Sequence, residues 1–349
     1  MKVAILIPTM NRPEFVERTV AYYDSLKSPH PIYIGDASPS EIAARTVTCL
    51  KRFRNVEVKY FHWEGMGANK TVAKLAEIAQ VACHYCATIG DDDYFVPSSL
   101  SQCAEFLSEN ADYRTAQGRA ATVALDRPGP YGEILSLGDY WGINALEQEN
   151  SAERLALFQK KYFVSQFSTH RTEEYIQDSR HILELVDPLV GELLHCFIFA
   201  IKGRSKFIDC LYLVRNVHEG IFHPEFFEWT IQEHWSSDYQ KMLHALTLAL
   251  QETSNFPLNE ATRIVAEVMK LHLKQSYELA EKDKRRWSVP AKLRNAIPSY
   301  LKNVIRGFTR GASDMRLLRS KESPFYDKFL PVSISLTKVE SPKEEAALE

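Results

Sequence analysis

The stretch His84-Tyr85-Cys86-Ala87-Thr88-Ile89-Gly90-Asp91-Asp92-Asp93 decides the fold class, because an apolar strand runs directly into three consecutive acids. Similar short apolar stretches occur at 3–7, 32–34 and 56–61, and segments with helical spacing of apolar residues separate them. This alternation is typical of βαβ units around a mostly parallel sheet. We therefore predict an α/β protein with a mostly parallel sheet flanked by helices.

The second half of the chain has a different pattern. Residues 116–137 are irregular, a helix is predicted at 190–201, and a strand is predicted at 207–214. Beyond an aromatic loop at 222–229 the apolar spacing is helical, and the last residues are polar. The predicted parts are an α/β domain at 1–220, a helical C-terminal region at 221–330 and a disordered tail at 331–349.

The composition is that of an ordinary globular protein, with 45% hydrophobic and 25% charged residues. Its 42 Lys and Arg against 45 Asp and Glu give a formal charge of −3, which excludes a uniformly basic nucleic-acid-binding protein. No apolar run approaches the roughly 18 residues of a membrane span. The six cysteines are scattered, as expected for reduced thiols, so we expect a cytoplasmic protein without a nucleic-acid partner.

The loops after the first four strands are predicted to meet. In open α/β sheets, ligands bind outside the carboxyl ends of the strands. The first loop, Pro8-Thr9-Met10-Asn11-Arg12, could contact a base, a ribose or a phosphate, or it could be an ordinary capped helix start. In the second loop, Asp36 could accept hydrogen bonds from a nucleobase or ribose, or it could be a turn residue.

The acid cluster Asp91-Asp92-Asp93 is the strongest chemical signal. Three adjacent carboxylates repel one another unless a cation compensates their charge. Mg²⁺ and Mn²⁺ prefer oxygen ligands and bridge carboxylates to substrate phosphates. The alternative is a solvated acidic turn that caps the next helix. The position of the cluster at the end of a strand favours the metal site over this alternative.

Together, Pro8-Thr9-x-Asn11-Arg12, Gly35-Asp36-x-Ser38 and the acid cluster resemble the family 2 nucleotide-sugar glycosyltransferases, which share the GT-A fold. The resemblance covers 1–118 and, more loosely, 187–218, and segment 106–113 resembles one bacterial subgroup. It implies a GT-A-like, Rossmann-type fold. It also implies metal-dependent, inverting transfer of a sugar from a UDP-sugar to a hydroxyl of a glycan or glycolipid, in surface polysaccharide assembly.

The resemblance further implies roles for single residues. Mn²⁺ or Mg²⁺ would be held by Asp91 and Asp93, the two acids of the Asp-x-Asp motif. His218 would complete the coordination or contact the diphosphate, although a lone histidine is more often structural. The residues expected to bind the nucleotide-sugar are Pro8, Thr9, Asn11, Arg12, Asp36, Lys70, Asp91 and Asp92.

An inverting transfer also needs a general base that deprotonates the acceptor hydroxyl. The family places this acid near the start of a helix, and the segment 187–192 fits that description. We prefer Glu192 to Asp187, because Asp187 is well placed to cap the helix. The alternative for Glu192 is a solvent-facing helix residue. Arg215 could serve the diphosphate or pair with a core carboxylate.

A basic segment follows the predicted catalytic part. Residues 282–321 contain twelve Lys and Arg against two Asp, a formal charge of +10, so the rest of the chain carries −13. Within 290–321 the basic and apolar residues form an amphipathic pattern, which favours peripheral contact with an anionic membrane face. The alternative is an arm packed on the catalytic domain or on the second subunit of a homo-oligomer.

Two rival functions remain. A sugar nucleotidyltransferase also uses clustered aspartates and a metal, but its Gly-rich, Lys/Arg-bearing N-terminal signature is absent where Pro8-Thr9-x-Asn11-Arg12 stands. A non-catalytic nucleotide- or glycan-binding module would keep Asp36 yet tolerate loss of Glu192. Turnover of a donor distinguishes these functions.

Overall fold

The computed structural model describes residues 1–218, 226–286 and 314–337. The strands in these residues are β1 (Val3–Thr9), β2 (Ile32–Asp36), β3 (Val58–His62), β4 (Tyr85–Thr88), β5 (Tyr94–Phe95), β6 (Tyr113–Leu125), β7 (Ile134–Trp141), β8 (Thr169–Arg171) and β9 (Arg204–Val217). The helices are α1 (Pro13–Ser25), α2 (Ser40–Leu50), α3 (Ala68–Ala79), α4 (Pro97–Glu109), α5 (Ser151–Lys160), α6 (Thr172–Ile182), α7 (Pro188–Lys202), α8 (Phe226–Thr230), α9 (Trp235–Ser254), α10 (Leu258–Arg286) and α11 (Tyr326–Thr337).

All the described strands belong to one sheet, in the order β3-β2-β1-β4-β8-β6-β9-β5, with β7 paired to β6. The first four strands in this order are parallel, and so is the long pairing of β6 with β9. The short strands β8 and β5 and the hairpin strand β7 pair in the antiparallel direction. The predicted mostly parallel α/β fold is therefore confirmed.

The central strand β1 explains why helices cover both faces of the sheet. Its odd-numbered residues Val3, Ile5 and Ile7 join one apolar core, whereas its even-numbered residues Ala4 and Leu6 join a second. Successive side chains of a strand point to opposite faces, so a strand that is apolar throughout must be covered on both. Helices α1 and α4 contribute to the first core and α3 to the second.

The expectation of irregular structure at 116–137 is wrong. The segment belongs to the hairpin of β6 and β7, whose turn contains Gly129 at φ +106°. Strand β6 is rich in alanine and has a glycine at Gly118, so its strand propensity is low. Pairing with β7, β8 and β9 determines its conformation. A carbon added at Gly118 would lie 2.6 Å from the backbone oxygen of Cys210, so only glycine fits this close approach of two strands.

The described part of the predicted helical C-terminal region contains α8, α9 and α10, of which α9 packs on α7 and α10 on α5 and α9. The disorder predicted from 331 onward is wrong for 331–337, because these residues belong to α11, which buries Phe329, Val332 and Leu336. The division into domains at 220 stays a prediction.

Several predictions fall partly or wholly outside the described residues. These are most of the aromatic loop at 222–229, the membrane contact through 290–321, and the polar end of the chain. Among the helices that the structure does describe, none combines the length and the apolar character needed to cross a bilayer. All six cysteines are free thiols.

Candidate active site

The acid cluster lies between β4 and β5, and two side chains of α1 donate hydrogen bonds to its backbone. Thr19 donates its hydroxyl hydrogen to the carbonyl oxygen of Asp91 at 2.6 Å, and Arg18 Nη2 donates to the carbonyl oxygen of Asp92 at 2.6 Å. Arg18 is fully buried and Asp91, Asp92 and Asp93 are at most 6% exposed. The cluster is therefore a buried feature of the fold, and the alternative of a solvated acidic turn does not hold.

Each carboxylate of the cluster contacts a cationic or polar side chain from another element. Arg12 bridges two of them, with Nη1 at 2.8 Å from Asp91 and Nη2 at 3.0 Å from Asp92. His218 Nε2 lies 2.7 Å from Asp92. Arg215 on β9 places Nε 2.8 Å from Asp93. Charge compensation thus comes from the loop after β1 and from the end of β9, and the pairing predicted as one alternative for Arg215 is confirmed.

The three acids do not share one electrostatic environment. Burial raises the pKa of Asp91 to about 7 and that of Asp93 to about 6, because loss of solvation outweighs the nearby arginines. Burial acts in the same direction on Asp92, but the hydrogen bonds from His218 and Arg12 outweigh it and lower the pKa of Asp92 to about 2. Asp92 is therefore the carboxylate that stays ionised over the widest pH range.

The first two loops meet the acid cluster at the carboxyl edge of the sheet. Thr9 donates its hydroxyl hydrogen to Asp91 at 2.6 Å, and the backbone N–H of Asn11 donates to Ser38 Oγ at 2.7 Å. Asn11 adopts a left-handed conformation at φ +62°, which asparagine tolerates better than most residues. Pro8 lies opposite Gly35 in the register of β1 and β2. The predicted convergence of these loops is confirmed.

Asp36 ends β2 and is almost completely buried. Its Oδ1 accepts from the backbone N–H of Ser38, and its Oδ2 accepts from the hydroxyl of Tyr60, each at 2.8 Å. Burial, followed by this hydrogen bond, raises the pKa of Tyr60. The turn-residue alternative for Asp36 is therefore observed, while each carboxylate oxygen keeps a second lone pair for a ligand.

Helices α3 and α7, which carry Lys70 and the predicted general base Glu192, begin close together. A carbon added at Gly191 would lie 2.5 Å from Nδ2 of Asn69, the residue before Lys70. Lys70 is exposed on the first turn of α3. The starts of these two helices therefore lie against each other.

Glu192 lies on the second turn of α7, partly exposed, with Tyr162 Oη 3.5 Å from its Oε1. Its negative charge acts on Tyr140, whose ring also faces the Arg215 guanidinium carbon at 4.7 Å from the ring centre. Burial, with a smaller contribution from the charge of Glu192, raises the pKa of Tyr140 to about 12 against the effect of Arg215. Tyr140 therefore connects Glu192 to the Arg215–Asp93 pair.

Asp187 is a structural hub at the N-cap of α7. Its Oδ1 accepts from the backbone N–H groups of Leu189 and Val190 at 2.8 and 3.0 Å, and its Oδ2 accepts from Trp229 Nε1 at 2.8 Å. It is 3% exposed. The capping alternative for Asp187 is confirmed, and its two oxygens already serve three donors.

Replacing Asp187 by alanine should lower the free energy of unfolding by about 2–4 kcal/mol. The cap contributes about 1 kcal/mol, and the buried Trp229 N–H left without an acceptor costs a further 1–3 kcal/mol. Urea denaturation measures the loss. Asn150, which caps α5 through Ala152 and Glu153 but is exposed, is the matched control, and Asn150→Ala should cost only about 1 kcal/mol. Equal losses for both variants would show that the hydrogen bond between Trp229 and Asp187 adds no stability beyond that of the helix cap.

Several residues of the site were not identified from the sequence. Arg18, Thr19, Tyr60 and Tyr140 support the acids or connect them to the rest of the site. A signal existed for the first two: an arginine and a threonine interrupt the apolar face of α1, one turn after Phe15. For Tyr60 and Tyr140 the sequence contains no comparable signal, because aromatic residues in strands are ordinarily core residues.

A divalent metal fits the residues around Asp92. The carboxylate oxygen of Asp92 and Nε2 of His218 lie 2.7 Å apart, and both are suitable ligands for Mn²⁺. In the parts of the chain that the structure describes, no group of three or more His, Cys, Asp or Glu could hold a metal. A site with two protein ligands, completed by substrate phosphates and water, is common for such ions. The predicted pair Asp91 and Asp93 stays a prediction, and the contact between Asp92 and His218 adds a second candidate pair of ligands.

No protein-family model and no curated protein matches this sequence. Solved structures do match: the crystal structure of S. aureus TarS 1–349 has a TM-score of 0.52 at 14% identity, covering 96% of this chain and 89% of that chain. The fold is GT-A-like. The TarS complex with UDP-GlcNAc has a TM-score of 0.51 at 14% identity over the same shares of the two chains. The complex with UDP has a TM-score of 0.52 at 15% identity, covering 78% and 72%. At these identities the likeness establishes the GT-A-like fold alone.

Proposed function

We propose that this protein transfers a sugar from a nucleotide-sugar, specifically a UDP-sugar, to a hydroxyl of a glycan or glycolipid. The observation that carries the proposal is the buried acid cluster at the carboxyl edge of the sheet, where ligands of such sheets bind, together with Tyr140, on which both Asp93 of the cluster and Glu192 act electrostatically. The fold adds support, since S. aureus TarS has been crystallised with UDP and with UDP-GlcNAc.

The nucleotide would bind over the first two loops. Thr9, Asn11 and Asp36 would hold the uridine, with Asp36 accepting hydrogen bonds through the lone pairs that Ser38 and Tyr60 leave. Lys70 would approach the base or the diphosphate from the first turn of α3. Pro8 and Arg12 would complete the contact surface.

Mn²⁺ or Mg²⁺ would be held at Asp92 and His218, with Asp91 and Asp93 as the alternative acids that the motif implies. When bound, the metal would neutralise the diphosphate as it leaves. The protein residues contribute an ionised carboxylate at Asp92 and a rigid backbone beneath it, which Arg18 and Thr19 support.

Glu192 would act as the general base of an inverting reaction. The acceptor hydroxyl oxygen attacks the anomeric carbon, its proton passes to the Glu192 carboxylate, and the bond from the anomeric carbon to the diphosphate oxygen breaks to release UDP. Asp187 is a weaker candidate because its oxygens already accept three hydrogen bonds. We further propose that the acceptor belongs to surface polysaccharide assembly at the cytoplasmic face of the membrane.

Release of UDP tests the proposed function. The full-length chain is incubated with a panel of UDP-sugars and Mn²⁺ or Mg²⁺, with and without candidate acceptors, and UDP is measured. We expect metal-dependent release that falls at least about a hundredfold in Asp92→Asn and in Asp91→Ala/Asp93→Ala. Asp209→Asn is the control, because Asp209 is exposed and pairs only with Arg119 at the surface of the sheet in the contacts described.

Three outcomes would contradict the proposal. Absence of metal-dependent release with every donor would favour a non-catalytic binding module. Production of pyrophosphate from UTP and a sugar phosphate would favour a nucleotidyltransferase. Equal UDP release by the wild type and both acid-cluster variants would remove the cluster from the reaction.

A further inference from the structure

Three atoms in the candidate site form a close triangle. Arg12 Nη2 lies 3.0 Å from Asp92 Oδ2 and 2.9 Å from His218 Nε2, and those two atoms are 2.7 Å apart. Arg12 Nη1 meanwhile contacts Asp91 at 2.8 Å. One guanidinium thus occupies the centre of the cluster and contacts all three of these side chains.

The three contacts of this triangle cannot all be favourable hydrogen bonds. His218 Nε2 has either one hydrogen or one lone pair. If it donates to Asp92, it faces the N–H of Arg12 as a second donor, and if it accepts from Arg12, it faces Asp92 as a second acceptor. A cation in place of the guanidinium nitrogen resolves the conflict, because a carboxylate oxygen and an imidazole lone pair can both point toward it.

The backbone at Arg12 is held in place, whereas its side chain has room to leave. The N–H of the preceding residue Asn11 is bonded to Ser38, and the Arg12 carbonyl accepts from the first turn of α1. The Arg12 side chain is 28% exposed, and its guanidinium carbon lies 4.1 Å from the ring centre of Phe15. The guanidinium makes this cation–π contact with Phe15 while it pairs with the carboxylates.

We propose that Arg12 is an internal counter-cation that a metal ion must displace from Asp91, Asp92 and His218, and that the nucleotide diphosphate captures the displaced guanidinium. The inference rests on the proposed function and adds an energetic coupling between its two ligands. Without the nucleotide the metal binds weakly, because it must first displace Arg12 from Asp91 and Asp92. Guanidinium groups pair with phosphate in a bidentate fashion, so a bound diphosphate removes that cost. The metal, in turn, strengthens diphosphate binding by the same factor.

Arg215 does not have this role. It pairs with Asp93 through Nε, and its guanidinium carbon lies 4.7 and 5.0 Å from the ring centres of Tyr140 and Phe167. Neither oxygen of Asp93 contacts His218 in the hydrogen bonds described. Arg215 is therefore a structural partner of Asp93, and Arg12 is the cation that a ligand exchanges.

Binding of Mn²⁺ tests the coupling without any measurement of activity. Free Mn²⁺ is followed by electron paramagnetic resonance during titration of the full-length protein, with and without UDP, and the Mn²⁺–UDP association in solution is measured separately and included in the fit. In the wild type, UDP should tighten Mn²⁺ binding by at least about tenfold, which corresponds to about 1.4 kcal/mol of coupling.

The variants Arg12→Gln and Arg12→Lys separate charge from geometry. Arg12→Gln should bind Mn²⁺ alone about tenfold more tightly than the wild type, and UDP should add a smaller further gain than in the wild type, because only the direct contacts between the phosphates and the metal remain. Arg12→Lys should bind Mn²⁺ alone about threefold more tightly, since a lysine cannot bridge two carboxylates in a bidentate fashion. Arg45→Gln is the matched control: Arg45 pairs with Glu14 in an exposed ion pair, and its replacement should leave Mn²⁺ binding unchanged.

The outcomes distinguish this inference from the proposed function. If a folded Arg12→Gln variant binds Mn²⁺ with the affinity of the wild type, the counter-cation role of Arg12 is overturned. If the glutamine variant does not fold, the same result with Arg12→Lys overturns it. Tight, UDP-independent Mn²⁺ binding by the wild type would overturn the inference and leave the transferase proposal intact. Absence of Mn²⁺ binding by the wild type, with and without UDP, would overturn both the inference and metal dependence.

Discussion

Glu192→Gln is expected to lower kcat for sugar transfer by about 10²- to 10⁴-fold while UDP binding stays unchanged. The amide keeps the size of the side chain but cannot take up the proton of the acceptor hydroxyl. Glu192 lies on the second turn of α7, is partly exposed, and raises the pKa of Tyr140 through its negative charge. Steady-state kinetics with the best donor, together with calorimetric titration of UDP, measures both quantities.

Glu184→Gln is the matched control for this prediction. Glu184 is an exposed glutamate that shortly precedes α7, and its replacement should leave kcat unchanged. An unimpaired Glu192→Gln variant would give the base role to another acid. Asp187 would then need a structural test of its own, because its hydrogen bonds to the helix and to Trp229 make its loss a matter of folding as well.

Arg215→Met is expected to lower the free energy of unfolding by about 3–5 kcal/mol at pH 8, the usual cost of leaving a buried charge without its partner. Asp93 is 1% exposed, and its ion pair with Arg215 is the main compensation for its buried charge. Replacement also removes a guanidinium that contacts the rings of Tyr140 and Phe167. Urea denaturation followed by circular dichroism measures the loss.

The pH dependence of this loss has a definite sign. Burial raises the pKa of Asp93 to about 6 in the folded protein, so the folded state takes up this proton more readily than the unfolded chain. Loss of Arg215 raises the pKa further. The cost of Arg215→Met is therefore present above about pH 6 and shrinks as the pH falls toward 5, where Asp93 is protonated and needs no cation.

Arg45→Met is the control, because the ion pair of Arg45 with Glu14 is exposed and should contribute at most about 1 kcal/mol at either pH. A loss for Arg215→Met that is equally large at pH 5 and pH 8 would mean that packing, and not the charge of Asp93, accounts for the effect.

The local pattern of the sequence predicted the parallel half of the fold well. The strands at 3–7, 32–34 and 56–61 and the one ending at Ile89 all exist within two residues or so of their predicted bounds, because strands buried on both faces read as continuous apolar runs. The same reasoning failed at β6, where alanines and Gly118 hide a strand that is stabilised by its neighbours. It also failed at α11, which extends to Thr337 and buries Phe329, Val332 and Leu336, although disorder was predicted from residue 331.

The candidate site was predicted in part for a similar reason. Residues that follow strands of one parallel sheet must meet at one edge, so Thr9, Asp36 and the acid cluster could be grouped from their positions alone. The identity of the capping residue Asp187 followed from local rules as well. Which cation faces which acid did not follow, because that depends on how β9 and the start of α1 are packed around the cluster.

A parallel α/β sheet with acids, amides and hydroxyls at its carboxyl edge could be predicted from the sequence alone. Apolar residues that recur every second position, or every third and fourth, show which face of a strand or helix is buried. The tertiary structure was needed to show the partners of the acids. Arg12 bridges Asp91 and Asp92, His218 contacts Asp92, and Arg215 pairs with Asp93. These partners are between 79 and 126 residues apart in the chain. Long-range contacts of this kind are chosen by packing and by the cost of burying unpaired charge, and no local pattern encodes them.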